Sequence, residues 1–238
     1  GESAAVGEAI FEHYLPRYSG DSSPKTLPGL VVGIADRLDT LIGLFSANLA
    51  PTGTKDPFAL RRSALGLAQN LIAWDMQIDL HSALAMASKN LPVDCPDEIL
   101  AVCLEFIVGR LRQYLIDSGY RYDIVEAVLA EQKHNPARAT AAIKQLSAWV
   151  ARDDWSDILP AYSRCIRITR DQKDLPPIQM EYLTIAVEKE LYKALLKAES
   201  VTEASGSLDE TMTAFLPIIP LINQFFDEVL VMDDNEAI

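Results

Sequence analysis

The chain has 238 residues, 49% of them apolar and 23% charged, with a net charge of −13. That is enough material for one large or two small domains with real cores. The negative balance argues against blanket affinity for nucleic acid, no apolar run is long enough to span a membrane, and Cys95, Cys103 and Cys165 form no C-x-x-C pair that would suggest a zinc site or a disulfide frame.

Nearly every strong signal along the chain is helical, and no run of alternating β-branched residues is bounded by hairpin turns. The chain starts with Ala4, Ala5, Val6, Ala9 and Ile10, as if in mid-helix, and its last residues carry no stop signal. It therefore reads as a piece of a longer polypeptide. The first helix should end at Pro16, because proline disfavours helix at the residue before it. Residues 16–28, with Pro16, Gly20, Pro24 and Pro28, read as an ordered loop. A helix over 29–49 follows, with Ile34, Leu38, Leu41, Ile42, Phe45 and Leu49 on one face.

Asp56 is expected to cap a helix over 57–74, with Pro57 in its first position and Leu65, Ala68, Leu71 and Ile72 inward. Residues 76–94 predict a shorter helix using Leu80, Leu84, Met86 and Ala87, then a Pro92–Pro96 linker. The helix over 97–118 has the stripe Ile99, Val102, Cys103, Phe106, Ile107, Leu111 and Tyr114, stopped by Gly119. Asp123 should cap a short helix to Glu131, and Pro136 should precede one over 137–151. Asp153 or Asp154 should start the next, which carries Tyr162, Cys165, Ile166 and Ile168.

After Pro176-Pro177 a long helix is expected to carry Ile178, Tyr182, Ile185, Tyr192, Leu195 and Leu196. Glu199–Ser207 reads as a loop. Pro217 and Pro220 break the region after Phe215, and the last helix should take Ile222, Phe226 and Leu230 inward. The fold class is all-α, with no internal repeat.

Three groups of residues invite chemistry. Glu12-His13-Tyr14 and Asp36-Arg37-Leu38-Asp39 resemble the second half of an HD-type metal phosphohydrolase domain, in which a late aspartate completes a His/Asp cage that activates water. Here His13, Asp36 and Asp39 would be the cage, but His81 and His134 have no ligand spacing, so the site reads as vestigial and without metal. The bland alternative makes Asp36 and His13 structural polar contacts. Arg61 and Arg62 are adjacent and point about 100° apart. They either contact a partner, such as a nucleic-acid phosphate or another chain, or pair within the domain with Asp36, Asp39 or Asp56.

The third group follows the charge distribution. Residues 110–173 carry 11 Lys+Arg against 8 Asp+Glu, whereas 174–238 carry 3 against 13. Lys133, His134, Arg138, Lys144, Arg164, Arg167 and Arg170 lie in the positive stretch, interleaved with Trp149, Trp155 and Tyr162. Such groups suit phosphates and unpaired bases. The alternative is a solvated face, with Trp149 and Tyr162 in a core. No P-loop, G-x-S-x-G or dinucleotide fingerprint is present, so no catalytic residue is expected.

The segment Pro51-Thr52-Gly53-Thr54-Lys55-Asp56-Pro57-Phe58-Ala59-Leu60-Arg61-Arg62-Ser63-Ala64-Leu65-Gly66 closely resembles the signature of the beta subunit of bacterial-type glycyl-tRNA synthetase. The similarity continues in Ala9–Arg17 with Gly20-Asp21, in Ala35–Leu41, more weakly in Leu111–Leu115 and Glu126–Ala130, and in Phe225–Met232. The resemblance implies the end of an HD-like domain at 1–75, a connecting helical region at 76–133, and a helical anticodon-binding domain of DALR-like type at 134–238, truncated at its C-terminus. It implies a role in recognising glycine tRNA, through Lys133, Arg138, Arg164, Arg167, Arg170, Arg61 and Arg62, beside an alpha subunit that makes the glycyl adenylate. ATP and Mg would be used by the complete enzyme and not by this piece. No membrane and no DNA would be involved, and the location would be the cytoplasm or an organellar stroma. The competing readings are an HD-type metal-dependent phosphohydrolase and a helical scaffold.

Overall fold

The computed structural model describes residues 1–18, 20–170, 177–205 and 207–229. Pro176, Gly206 and Leu230–Met232, to which the sequence assigned roles, lie outside them. Among the described residues all regular structure is helical, and the one β feature is an isolated bridge between Thr52 and Lys55. The chain divides into two compact units, Gly1–Lys144 and Gln145–Ile238. The expected boundaries at 75/76 and 133/134 both fall inside the first.

In the first unit α1 (Ala4–Glu12) is capped by the Ser3 hydroxyl and ends before Pro16, with His13 as its C-cap. The loop to Thr26 includes a cis Leu15–Pro16 peptide. Then α2 (Leu27–Ser46) buries Leu30, Ile34, Leu38, Leu41, Ile42 and Phe45. Leu49, expected on that face, lies beyond the helix and is exposed. The chain turns at Asn48, whose φ of 58° no helix tolerates.

Helix α3 is Leu60–Ala73, three residues shorter at its start than expected. Pro57 is not in its first turn, and the N-cap position is held by Ala59 at φ 55°. Asp56 still does the capping chemistry from outside, since its carboxylate accepts from Leu60 N at 2.8 Å and Arg61 N at 3.0 Å. The inward face is Leu60, Ala64, Leu67, Ala68 and Leu71, with Leu65 and Ile72 only half-buried.

Helix α4 (Leu80–Ser88) starts at an Asp79 cap and buries Leu80 and Leu84, while Met86 is exposed. Helix α5 (Asp97–Asp117) inserts Leu100, Cys103, Leu104, Ile107, Val108, Leu111 and Leu115. The expected face was turned too far, since Val102 is exposed and Ile99 and Phe106 are at the edge of the core. Gly119, at φ 93°, ends the segment. Helices α2, α3, α4 and α5 share one core.

Helix α6 (Tyr122–Gln132) has Arg121 as N-cap, so Asp123 lies in the first turn, paired with Arg121 rather than capping. Helix α7 (Pro136–Val150) begins with the Asn135 amide oxygen accepting from Arg138 N.

In the second unit α8 (Trp155–Thr169) carries Pro160 near its start and buries Ile158 and Ala161. Tyr162 and Ile166 are exposed. Helix α9 (Ala186–Ser205) starts later and ends later than expected. Ile178, Tyr182 and Ile185 precede it and are exposed, and the polar stretch read as a loop from Glu199 is helical through Ser205. Lone polar composition did not stop that helix, because Glu, Ala and Ser are all tolerated in one. Helix α10 (Leu208–Phe215), a 3-10 turn over Leu216–Ile218 and α11 (Ile219–Glu228) follow. Pro217 and Pro220 each sit in a first turn, where no N–H is missed. The core of this unit joins Ala161, Ala198, Ile218 and Ile222, with Phe215 and Phe226 packed against it.

Candidate functional site

The motif at the end of α1 and the middle of α2 forms a buried polar junction. Glu12 is buried, and its carboxylate accepts from Lys25 N, Thr26 N and the Thr26 hydroxyl at 2.9, 2.8 and 2.5 Å. The Thr26 hydroxyl bond does most to lower its pKa. Arg37, also buried, donates from Nη1 to the His13 and Gly33 carbonyls at 2.7 and 2.9 Å, and from Nη2 to those of Tyr14 and Leu15 at 3.0 and 2.9 Å. Burial lowers the Arg37 pKa, and the negative charge of Asp36 opposes that shift. Asn70 of α3 also donates to the Leu15 carbonyl.

Glycines make this packing possible. A Cβ on Gly29 would lie 2.5 Å from the Glu12 Cβ, and one on Gly33 would lie 2.7 Å from the His13 carbonyl oxygen. Gly66 faces the Arg37 guanidinium at 3.0 Å in the same way. The loop is closed further by Trp74 Nε1, which donates to the Pro24 carbonyl, and by Arg17, which pairs with Asp21 at 2.8 Å.

The metal cage of the HD-type alternative is not what these elements build. The buried charge on α2 is Arg37, while Asp36 and Asp39 are exposed. His13 directs Nδ1 to the Ile10 carbonyl at 2.5 Å, within its own helix. Among the described residues no group of three or more His, Cys, Asp or Glu side chains is placed to hold a metal ion. The residues therefore do not fit a phosphohydrolase metal centre. Burial pushes the Cys103 thiol up to about 12, which leaves it protonated and inert at neutral pH. The buried structural roles of Glu12 and Arg37 were both missed. The signal was available, because position 37 falls between Ile34 and Leu41 on the core-facing stripe, where a charge needs buried partners.

The double arginine separates into two environments. Arg61 turns back on its own loop, with Nη2 2.5 Å from the Gly53 carbonyl and Nη1 3.9 Å from Asp56. Arg62 is exposed. Lys133 pairs with Glu105 of α5, and Arg138 is exposed at the start of α7. Arg164 lies over the Phe226 ring at 4.6 Å, so it packs on α11. Arg167 is exposed near the end of α8 and Arg170 at its C-cap. Lys133 and Arg138 belong to the first unit, Arg164, Arg167 and Arg170 to the second. Trp149 is buried, as the core alternative expected, and its indole N–H donates to Asp209 at 2.9 Å. Tyr162 is 58% exposed, which rejects the core alternative for that ring. A cleft of about 380 Å³ between the 16–23 loop, α3 and Tyr114 of α5 is lined by none of the expected residues.

A family model described as glycyl-tRNA synthetase beta subunit matches residues 1–130. The chain belongs to this family. It is 35% identical, over 98% of its length, to the glycine–tRNA ligase beta subunit of Moorella thermoacetica, of which it covers 35%. It is 33% identical over its whole length to that of Clostridioides difficile, again covering 35% of the relative. A glycine–tRNA ligase, chloroplastic/mitochondrial 2, of Arabidopsis thaliana is 30% identical over the whole chain, which covers 22% of it. The chain thus spans about a third or less of these relatives. In this member of the glycyl-tRNA synthetase beta-subunit family, the Glu12–Arg17 and Gly33–Leu41 motifs are a structural junction and the 51–66 signature is a braced turn leading into α3. No described helix is long and apolar enough to cross a membrane.

Proposed function

We propose that this chain is the tRNA-recognition part of a glycine–tRNA ligase beta subunit, which binds and positions glycine tRNA for ATP-dependent aminoacylation by the alpha subunit. In this reading the first unit holds the end of an HD-like domain and the connecting helices, and the second is most of a DALR-like anticodon-binding domain. ATP and Mg act at the alpha subunit, and the assembly works in the cytoplasm or an organellar stroma.

The observation that carries the reading is the exposure of two cations and one aromatic ring along one segment: Tyr162 and Arg167 of α8, and Arg170 at its C-cap. Guanidinium groups suit phosphates, and an exposed phenol ring suits an unpaired base. Family membership supports it. Arg164 lies in the same unit, and Lys133 and Arg138 are further candidate phosphate contacts in the first unit.

The test uses the full-length beta polypeptide with its alpha partner. Charge reversal at Arg167 and Arg170 should raise KM for glycine tRNA and leave ATP-dependent glycine activation unchanged. Each lost phosphate contact should flatten the slope of log affinity against log salt by about 0.7–0.9. Normal charging by the double variant across a range of salt would remove α8 from the interface.

A further inference from the structure

We infer that the turn Thr52–Lys55 and the first turn of α3 are a preformed contact for an RNA sugar–phosphate backbone, in which Lys55 and Arg62 meet phosphates, Phe58 offers a ring face, and Arg61 holds the turn without touching the ligand. This rests on the tRNA reading above and adds a second place, in the first unit, where the RNA is held.

Charge is the first argument. From Thr40 to Trp74 the only charged residues are Lys55, Asp56, Arg61 and Arg62, a net of +2 in a chain of −13. The single carboxylate is committed behind the turn. Asp56 accepts from Leu60 N and Arg61 N, and only 15% of its side chain is accessible. The charged groups that remain toward solvent, Lys55 and Arg62, are both cations.

Rigidity is the second. Thr52 and Lys55 exchange two backbone hydrogen bonds, N to O, at 3.2 and 2.9 Å. Gly53, at φ 55°, closes the turn and carries its carbonyl to Arg61. Ala59, an ordinary L-residue, is held at φ 55°. Such a conformation persists only where its surroundings over-determine it, and these positions concentrate at binding sites. Asp56 and Ala59 set buried Leu60 into the core, while Thr52, Gly53, Thr54, Lys55, Phe58 and Arg62 are all exposed and remain available to a ligand.

Chemistry is the third. Two hydroxyls, an ammonium, a guanidinium and a ring that is 48% exposed are a donor set for phosphate and ribose plus a stacking surface. Donors fixed in advance lose less entropy on binding than mobile ones. A sugar–phosphate backbone engages all of them at once, its phosphates the two cations, its ribose the hydroxyls and a base the ring.

The experiment measures glycine tRNA binding to the full-length beta polypeptide as salt is raised. Lys55→Gln with Arg62→Gln should flatten the salt slope by about 1.4–1.8, two phosphate contacts' worth. Phe58→Leu should weaken binding at every salt concentration with the slope unchanged. Arg61→Met should also weaken binding with the slope unchanged, while amide exchange at residues 52–55 accelerates, which marks it as a positioning residue. An unchanged slope in the Lys55/Arg62 variant overturns the proposal. If Arg167→Gln with Arg170→Gln flattens the slope in the same series, the tRNA reading survives that failure. If the unmutated protein holds no glycine tRNA at low salt, both fall. Loss of alpha-subunit association with an unchanged slope would make the turn a protein contact and overturn the RNA assignment.

Discussion

Arg37 reaches from the middle of α2 to the carbonyl of Leu15 at 2.9 Å, 22 residues earlier in the chain. That carbonyl also accepts from Asn70 of α3, so one backbone oxygen ties three segments together. The guanidinium supplies rigid, always-charged donors in fixed directions, which an ammonium cannot copy.

Replacing Arg37 with alanine should therefore destabilise the first unit by at least one charged hydrogen bond, about 1.5–3 kcal/mol. Arg37→Lys should recover only part of it, because a single ammonium cannot span the carbonyls of His13, Tyr14, Leu15 and Gly33. Denaturant unfolding of the three proteins checks this. Equal midpoints for Arg37→Ala and the parent protein would contradict the staple.

Gly33→Ala and Gly109→Ala should have opposite signs. At Gly33 the new Cβ meets the His13 carbonyl oxygen at 2.7 Å and the Arg37 Nη1 at 2.9 Å, so overpacking of about 1–3 kcal/mol outweighs the gain in helix propensity. At Gly109, inside α5, nothing lies within 4 Å of the Cβ position, and alanine should stabilise by up to about 1 kcal/mol. Thermal melts of the pair give the answer directly.

The loop between α1 and α2 should be acid-labile. The Arg17 guanidinium, helped by backbone N–H groups, pulls Asp21 from 3.8 down to about 2. Glu12 is shifted down from 4.5, chiefly by the Thr26 hydroxyl. Both folded-state values are depressed, so the stability they contribute is complete above the ordinary carboxylate range and is lost as pH falls toward 2. Melting temperature should drop steeply between pH 4.5 and pH 2. Asp21→Asn should be less stable at neutral pH and should show a shallower acid decline; an identical decline would assign the lability elsewhere.

In the second unit, the Trp149 indole N–H bonded to Asp209 links α7 to α10. Trp149→Phe keeps most of the ring burial and loses the donor, at a cost of about 0.5–1.5 kcal/mol. Asp209→Ala should cost a similar amount, and a double-mutant cycle should show that the two losses do not add. Full additivity would mean the bond contributes nothing.

The sequence by itself determined the helical class and most helix positions, because the 3.6-residue spacing of Leu, Ile and Phe in α2 needs no partner to be read. It also determined family membership, through the 51–66 signature. It did not determine which face of α5 goes inward. Apolar residues at 99, 100, 102, 103, 104, 106, 107 and 108 surround most of that helix, and only the positions of α2, α3 and α4 select Leu100, Cys103 and Leu104 over Val102. The roles of adjacent residues were hidden for the same reason. Asp36 and Arg37, like Arg61 and Arg62, are neighbours in sequence but point about 100° apart, so one of each pair meets other segments while the other faces water. Whether a charge is a structural staple or an exposed group depends on carbonyls brought in from tens of residues away. That is long-range packing, which local periodicity does not encode.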